Sequence, residues 1–329
     1  MTVKLIAELC QNHLGDFKLV KEMVDQAVEA GATHVKIQHI YTENLTFRPQ
    51  FESGLEQDGK TYAIKRPFKP EYERLKGLEL TADQCRGFVD YVKEKGATPL
   101  TTCFARGSIP AIKEQGFRAV KVASYDCASY QMLRELAEEF DELIVSTGAS
   151  YINEIEKAAE ALSKHGNYGF LHCVTIYPTP LEEMHLSRIK WLRNYCPQVG
   201  FSDHSLVKRD GLLASKAALA LGADIVERHF TILEADQSKD GPVSIKPEQV
   251  RELAQFSAMD SEEQLKELEK EHPGLMEKLI GDSLRELSDQ ELLNRDYYRG
   301  RFATPRFKGE HAVSKMIFNW EETPLCRPK

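Results

Sequence analysis

Gly222-Ala-Asp-Ile-Val-Glu-Arg-His229 is the stretch that decides the fold. A glycine closes a helical segment, a short apolar strand follows, and the strand's last residues are polar. Glycine suits the first position because the turn that ends a helix favours a residue with positive φ. The unit recurs as Gly31-Ala-Thr-His-Val-Lys-Ile-Gln38, Gly96-Ala-Thr-Pro-Leu-Thr-Thr102, Gly116-Phe-Arg-Ala-Val-Lys-Val-Ala-Ser124 and Gly166 to Cys173. Strands at Val3 to Glu8 and Leu143 to Ser146 follow the pattern without the glycine, and Val199 to Phe201 completes eight.

Amphipathic helices separate the strands. Phe17, Val20, Val24, Ala27 and Val28 share one face, as do Phe88, Val89 and Val92 after a Thr81-to-Gln84 capping box. Ser108 with Pro110, and Pro247, mark further helix starts. Eight such alternations over roughly 250 residues match a closed α/β TIM barrel, (β/α)8. An open doubly wound sheet is the rival. No glycine-rich phosphate fingerprint follows a strand, which counts against it.

The barrel is assigned to residues 1–260. Residues 261–293 form a charged helical extension with a breaker at Pro273, and residues 294–329 a basic, irregular C-terminal appendage outside the barrel. Tyr41 to Glu79 is too long for an ordinary strand-to-helix connection. Its aromatic and basic residues (Tyr41, Phe47, Arg48, Phe51, Tyr62, Lys65, Arg66 and Phe68) suit either a lid or acceptor-binding loop, or a variable surface insertion.

Composition excludes several functions. A net charge of −8 on 329 residues argues against a nucleic-acid surface. No apolar run is long enough for a membrane span and no signal-peptide pattern opens the chain, so the expected location is cytoplasmic. Seven scattered cysteines suit a reducing compartment, and Cys10, Cys103 and Cys173 read as small buried fillers.

Chemistry is expected at the carboxyl edge of such strands. Phe201-Ser-Asp-His204 and Ile225-Val-Glu-Arg-His229 each end in a histidine, so neighbouring parallel strands bring both imidazoles to that edge. Alternation puts Lys36 and Gln38 on one face, and Ile225, Glu227 and His229 on another. The strand ends collect Glu8, Lys36, Gln38, Thr102, Lys121, Ser124, Asp126, Ser146, His172, Tyr177, Ser202, His204 and His229. Lysines and hydroxyls suit a phosphate or carboxylate, and two neutral imidazoles suit a divalent ion such as Mn²⁺. Each also has a structural reading: a lysine paired with a neighbouring carboxylate, a hydroxyl capping the next helix, a hydrogen-bonded core histidine. The residues alone support a barrel enzyme for an anionic substrate and leave the metal open.

The chain also resembles the sialic acid synthase family, including its spore-coat-polysaccharide and other nonulosonate members. The matching pieces are Ile6-Ala-Glu8 with Asn12-His13, Val35-Lys-Ile-Gln38, Thr102-Cys-Phe104, Val120-Lys-Val-Ala-Ser124, Val145-Ser-Thr-Gly148, Leu171-His-Cys173 with Tyr177-Pro-Thr-Pro180, Phe201-Ser-Asp-His204, Glu227-Arg-His-Phe-Thr231 and Asp240-Gly-Pro-Val-Ser244. The resemblance implies a transferase of surface-polysaccharide biosynthesis that condenses phosphoenolpyruvate with an amino sugar resembling N-acetylmannosamine. It implies Mn²⁺ or Mg²⁺ at His204 and His229. Lys36, Thr102, Lys121, Ser124, Ser146 and Ser202 would hold phosphoenolpyruvate, and Gln38, Tyr177, Asp240 and Asp126 would meet the acceptor. Glu8 would lie beside the metal and the reacting carbons.

Departures fall on the acceptor side. Asp126 replaces a glutamate, Thr175 a common asparagine, and Gly148-Ala-Ser150 a glycine-methionine. Family members usually end in an antifreeze-like domain that donates an arginine to the partner subunit. Here only Arg299-Gly-Arg-Phe-Ala303 and Lys308-Gly-Glu310 resemble its start, so that domain reads as truncated or degenerate. Arg327 before Pro328 is a weak match to the donated arginine, and a homodimer stays open. Two rivals remain: a synthase acting on a phosphorylated or shorter aldose, and a barrel that binds sugar without catalysis.

Overall fold

The computed structural model describes residues 3–325. Eight strands form the barrel: β1 (Lys4–Cys10), β2 (His34–His39), β3 (Thr98–Cys103), β4 (Ala119–Val122), β5 (Glu142–Ser146), β6 (Tyr168–Cys173), β7 (Gln198–Asp203) and β8 (Ile225–His229). All neighbours pair in parallel, and β1 closes the ring by pairing with both β2 and β8. This is the expected TIM barrel. The glycines that precede β2, β3, β4, β6 and β8 all have positive φ, from 76° at Gly166 to 106° at Gly31. In the helix Ala82–Glu94 the capping box forms as read: Gln84 N–H donates to Thr81 Oγ1 at 3.2 Å, and Thr81 N–H donates to Gln84 Oε1 at 2.8 Å.

Strand alternation separates two kinds of burial. Outward-facing side chains pack under the helices in one large apolar shell that includes Val35, Val120, Val145 and Phe170. Inward-facing Ile6, Leu100, Ala119, Ile144, Leu171 and Ile225 form a separate apolar layer inside the barrel. Two residues further along the same strands stand Glu8, Thr102, Lys121, Ser146, Cys173 and Glu227. With a period of two they occupy the next interior level. The barrel is therefore plugged by hydrocarbon at one end and floored by polar groups toward the other. Gly200 lets the plug close: a Cβ there would sit 2.3 Å from the Ile225 carbonyl oxygen and 2.7 Å from Leu171 Cδ2.

Tyr41 to Glu79 contains a hairpin, Leu55–Gln57 with Lys60–Ala63, and a helix, Phe68–Lys76. The charged stretch forms helices Ser261–Glu271 and Leu275–Ile280, broken at Gly274 with φ 74°, and a further helix, Asp289–Tyr298, follows. The described residues from 294 onward add no strand to the barrel and lie across its mouth. Asn294 Nδ2 donates to the Thr175 carbonyl at 2.7 Å. Thr46 N–H donates to the Arg301 carbonyl at 3.0 Å, and Ala303 N–H to the Asn44 carbonyl at 2.9 Å. The insertion and the tail pack aromatic rings against one another. Phe51 meets Tyr297 edge-on at 5.1 Å, and Phe68 lies 5.2 Å from His311. Arg327 lies outside the described residues. Among those described, no helix is long and apolar enough to cross a membrane.

Candidate active site

Every described residue to which the family resemblance gives a substrate or metal role lines one cavity of about 600 Å³ at the carboxyl edge of the barrel. That volume falls in the range of small-molecule sites. Its deepest level is the polar layer above the hydrocarbon plug. Lys36 pairs with Glu8, and its Nζ donates to Thr102 Oγ1 at 2.9 Å and lies 3.7 Å from Glu227 Oε2. Lys121 pairs with Glu227, whose Oε1 also accepts from Ser202 Oγ at 2.9 Å. Both lysines are thus ion-paired, as the structural reading allowed. Two cations face two carboxylates, so this level carries little net charge.

Burial drives the titration of these groups. It pushes Lys36 down to about 7 against the pull of Glu227. For Glu227 burial alone would raise the carboxyl, but Lys121 and then Lys36 hold it well below the usual carboxylate range. Glu227 is therefore a firmly ionised carboxylate between two lysines. It has no role in the sequence reading, although alternation from His229 places it on the inner face.

Positive charge is concentrated higher up. Arg66 and Arg74 of the insertion, Lys239 of the loop after β8 and Arg301 of the tail all line the cavity mouth. Glu71 pairs with both Arg74 and Arg301. Sequence reading flagged Arg66 and the Arg299–Ala303 segment. Arg74 and Lys239 carried no signal, because their convergence depends on how the insertion and tail dock.

The two histidines stand side by side, with ring centroids 5.2 Å apart and planes at 90°. Tyr177 packs on His204 at 4.2 Å, and Cys173 Sγ is 3.7 Å from His204 Nδ1. Burial lowers both imidazoles, His204 well below the usual histidine value, which leaves them neutral and able to act as ligands. His229 Nδ1 is buried and has no hydrogen-bond partner among the described residues. Cys10, His229 and Asp240 each offer a ligand atom, all within 4.8 Å of one another. The donor set present fits a divalent cation. His172 is not part of this site: its ring stacks on Phe201 at 5.7 Å and its Nε2 lies 2.6 Å from the Met184 carbonyl.

The filler reading of the cysteines divides. Cys103 joins the apolar shell, whereas Cys173 lines the cavity and Cys10 stands beside His229 and Asp240. On the wall, Ser124 Oγ accepts from Gly148 N–H at 3.2 Å. A Cβ on Gly148 would lie 2.9 Å from that oxygen and 2.7 Å from Thr175 Cγ2, so the close approach requires glycine. Ser146 Oγ is buried without a hydrogen-bond partner among the described residues.

Asp126 accepts from Ser129 Oγ and Asn319 Nδ2, each at 2.9 Å, the latter from the tail. Burial raises its carboxyl to about 6, although those two hydrogen bonds oppose the shift. The folded state therefore favours the neutral acid. The associated stability is complete below the unfolded value of 3.8 and is lost as pH rises through about 6. The shift corresponds to about 3 kcal/mol at most. Asp126→Asn should remove this dependence. Denaturant midpoints of the two proteins should diverge in favour of Asp126→Asn between pH ~4 and ~7, and a constant difference across that window would refute the assignment.

Pseudaminic acid synthase of Campylobacter jejuni is 30% identical, the alignment covering 99% of this chain and 87% of that protein. The spore coat polysaccharide biosynthesis protein SpsE of Bacillus subtilis is 31% identical over 99% of this chain and 84% of its own. Its crystal structure superposes with a TM-score of 0.68, covering 90% of this chain and 77% of that one at 28% identity. The N-acetylneuraminic acid synthetase of Leptospira borgpetersenii, solved with citrate, gives a TM-score of 0.66 at 26% identity, covering 90% and 91%. The NeuB family model matches residues 23–269, three quarters of the sequence, and the chain belongs to that family.

Proposed function

We propose that this chain condenses phosphoenolpyruvate with the open-chain aldehyde of an amino-hexose, releasing phosphate and a sialic-acid-like 3-deoxy-2-ulosonic acid. The observation that carries the reading is the interior polar level, where Lys36, Lys121, Thr102 and Ser202 surround Glu227 one layer above a sealed hydrocarbon plug. A small dianion reaching that floor meets two ammonium groups and several hydroxyls, including the unpartnered Ser146 Oγ. The family supports an ulosonic-acid-forming condensation, and relatives bear the names of pseudaminic, legionaminic and N-acetylneuraminate synthases.

Each step requires something of these residues. Carbon 3 of the enol phosphate attacks the aldehyde carbon, the carbonyl oxygen takes up a proton, and positive charge develops at carbon 2. Ionised Glu227 stabilises that charge, while Lys36 and Lys121 hold the carboxylate and phosphate in place. Water then adds at carbon 2, with Glu8 of the same floor taking its proton, and phosphate departs with the bridging oxygen as the new hydroxyl loses its proton and carbon 2 becomes a ketone. A divalent ion held by His229 and its neighbours would supply Lewis acidity toward the aldehyde oxygen. Holding both reactants in line removes up to roughly 7–11 kcal/mol of entropic barrier. The mouth formed by Arg66, Arg74, Lys239 and Arg301 draws in anionic donor despite the chain's net charge of −8.

The test is phosphate release from phosphoenolpyruvate by the full chain with Mn²⁺ and a panel of amino-hexoses. Release that depends on one of the acceptors is expected. No release with any of them at saturating metal would overturn the reading.

A further inference from the structure

We propose that Cys10 is a cation ligand in this chain, acting with His229 and Asp240, and that its sulfur makes the site prefer a thiophilic ion such as Co²⁺ or Zn²⁺ over Mg²⁺. This deepens the cation-assisted reading above and rests on it.

The three residues come from distant parts of the sequence. Cys10 ends β1, His229 ends β8, and Asp240 belongs to the loop that follows, yet their ligand atoms lie within 4.8 Å of one another. Cys10 is fully buried and His229 is 9% exposed. A buried ring nitrogen with no hydrogen-bond partner is costly unless something occupies it, and among the described residues His229 Nδ1 has none.

Cys10 also differs from a filler in its surroundings and its backbone. Cys85, Cys103, Cys127 and Cys196 all belong to the apolar shell, and Cys10 does not. The pairing of β1 with β2 shifts register between Glu8 and Cys10, and Cys10 adopts φ 40°. For a residue with a Cβ, that left-handed conformation costs roughly 1–2 kcal/mol that glycine would avoid. Its N–H donates to Glu8 Oε1 at 2.6 Å, which ties the turn to the catalytic floor. A thiol is thus held in a conformation better suited to glycine, beside an unpartnered imidazole and a carboxylate.

One sulfur, one nitrogen and one carboxylate oxygen suit a borderline-soft ion, whereas Mg²⁺ prefers an all-oxygen shell. Three protein ligands leave coordination open toward the cavity. The neighbouring His204 ring, 5.2 Å from His229 between centroids, lies close enough to border that opening.

The experiment strips the full chain with chelator and titrates it with Co²⁺ alone, reading the near-ultraviolet thiolate-to-cobalt charge-transfer band and the dissociation constant. Wild type and Cys173→Ser should develop the band to saturation at one equivalent. Cys10→Gly should lack it and bind Co²⁺ at least about 10-fold more weakly. Because glycine accepts positive φ, the stripped Cys10→Gly protein should melt no lower than wild type, so loss of the band cannot come from misfolding. Zn²⁺ should abolish the wild-type band and a large excess of Mg²⁺ should not. Co²⁺ binding without the band in wild type, or a band that persists in Cys10→Gly, would overturn the proposal. Acceptor-dependent phosphate release separates the two claims. Release supported equally by Mg²⁺ in wild type and Cys10→Gly, without a band, defeats the thiolate ligand and leaves the synthase standing. A Cys10-dependent band without release from any acceptor upholds the ligand and defeats the synthase.

Discussion

Lys121→Met is expected to cost about 3–5 kcal/mol of folding stability, the usual penalty for stripping one partner from a buried ion pair. Methionine nearly fills the volume of lysine, so the loss is electrostatic. It leaves the buried Glu227 carboxylate with Lys36, 3.7 Å from Oε2, as its remaining cation. Glu227 would then protonate more readily, so the deficit should grow as pH rises. Adding Glu227→Gln in the same chain removes the uncompensated charge and should recover most of the stability without restoring phosphate release. Denaturant midpoints for the two single variants and the double variant test this as a cycle. Additive losses would mean that the pair is not coupled as described.

His229→Ala is expected to reduce acceptor-dependent phosphate release by on the order of 1,000-fold or more, because several kcal/mol of charge stabilisation at the aldehyde oxygen would be lost. The polar floor is untouched by this change, so phosphoenolpyruvate binding measured by calorimetry should persist. This outcome separates a catalyst from a barrel that only binds sugar. Turnover within a few-fold of wild type would remove His229 from the chemistry.

Much of the architecture is legible before any coordinates. Each glycine before a strand marks a helix end through its φ, and each strand's alternation decides which side chains enter the barrel. That logic puts Lys36, Thr102, Lys121, Ser146 and Ser202 in one cavity. It also contains Glu227, two residues before His229, which the sequence reading placed on the inner face without assigning it work. His172 shows the limit of collecting polar strand ends, because its parity points it into the shell beside Phe201. Cys10 was hidden for a different reason. Burial alone makes a cysteine look like a filler, and only the register shift and positive φ at the end of β1 bring it to Asp240. The basic mouth was hidden because it is assembled by docking. Arg74 and Arg301 meet over Glu71 only once the tail has folded back across the insertion.

The central claim is that an enol phosphate on the lysine floor loses phosphate by cleavage at carbon 2 when an amino-sugar aldehyde is present. The most direct measurement uses phosphoenolpyruvate carrying heavy oxygen in the bridge between carbon 2 and phosphorus. With the full chain, metal and acceptor, all the label is predicted to leave in inorganic phosphate, and none should leave when the acceptor is omitted. Label retained in the ulosonic acid or in pyruvate, or release indifferent to the acceptor, would contradict the account.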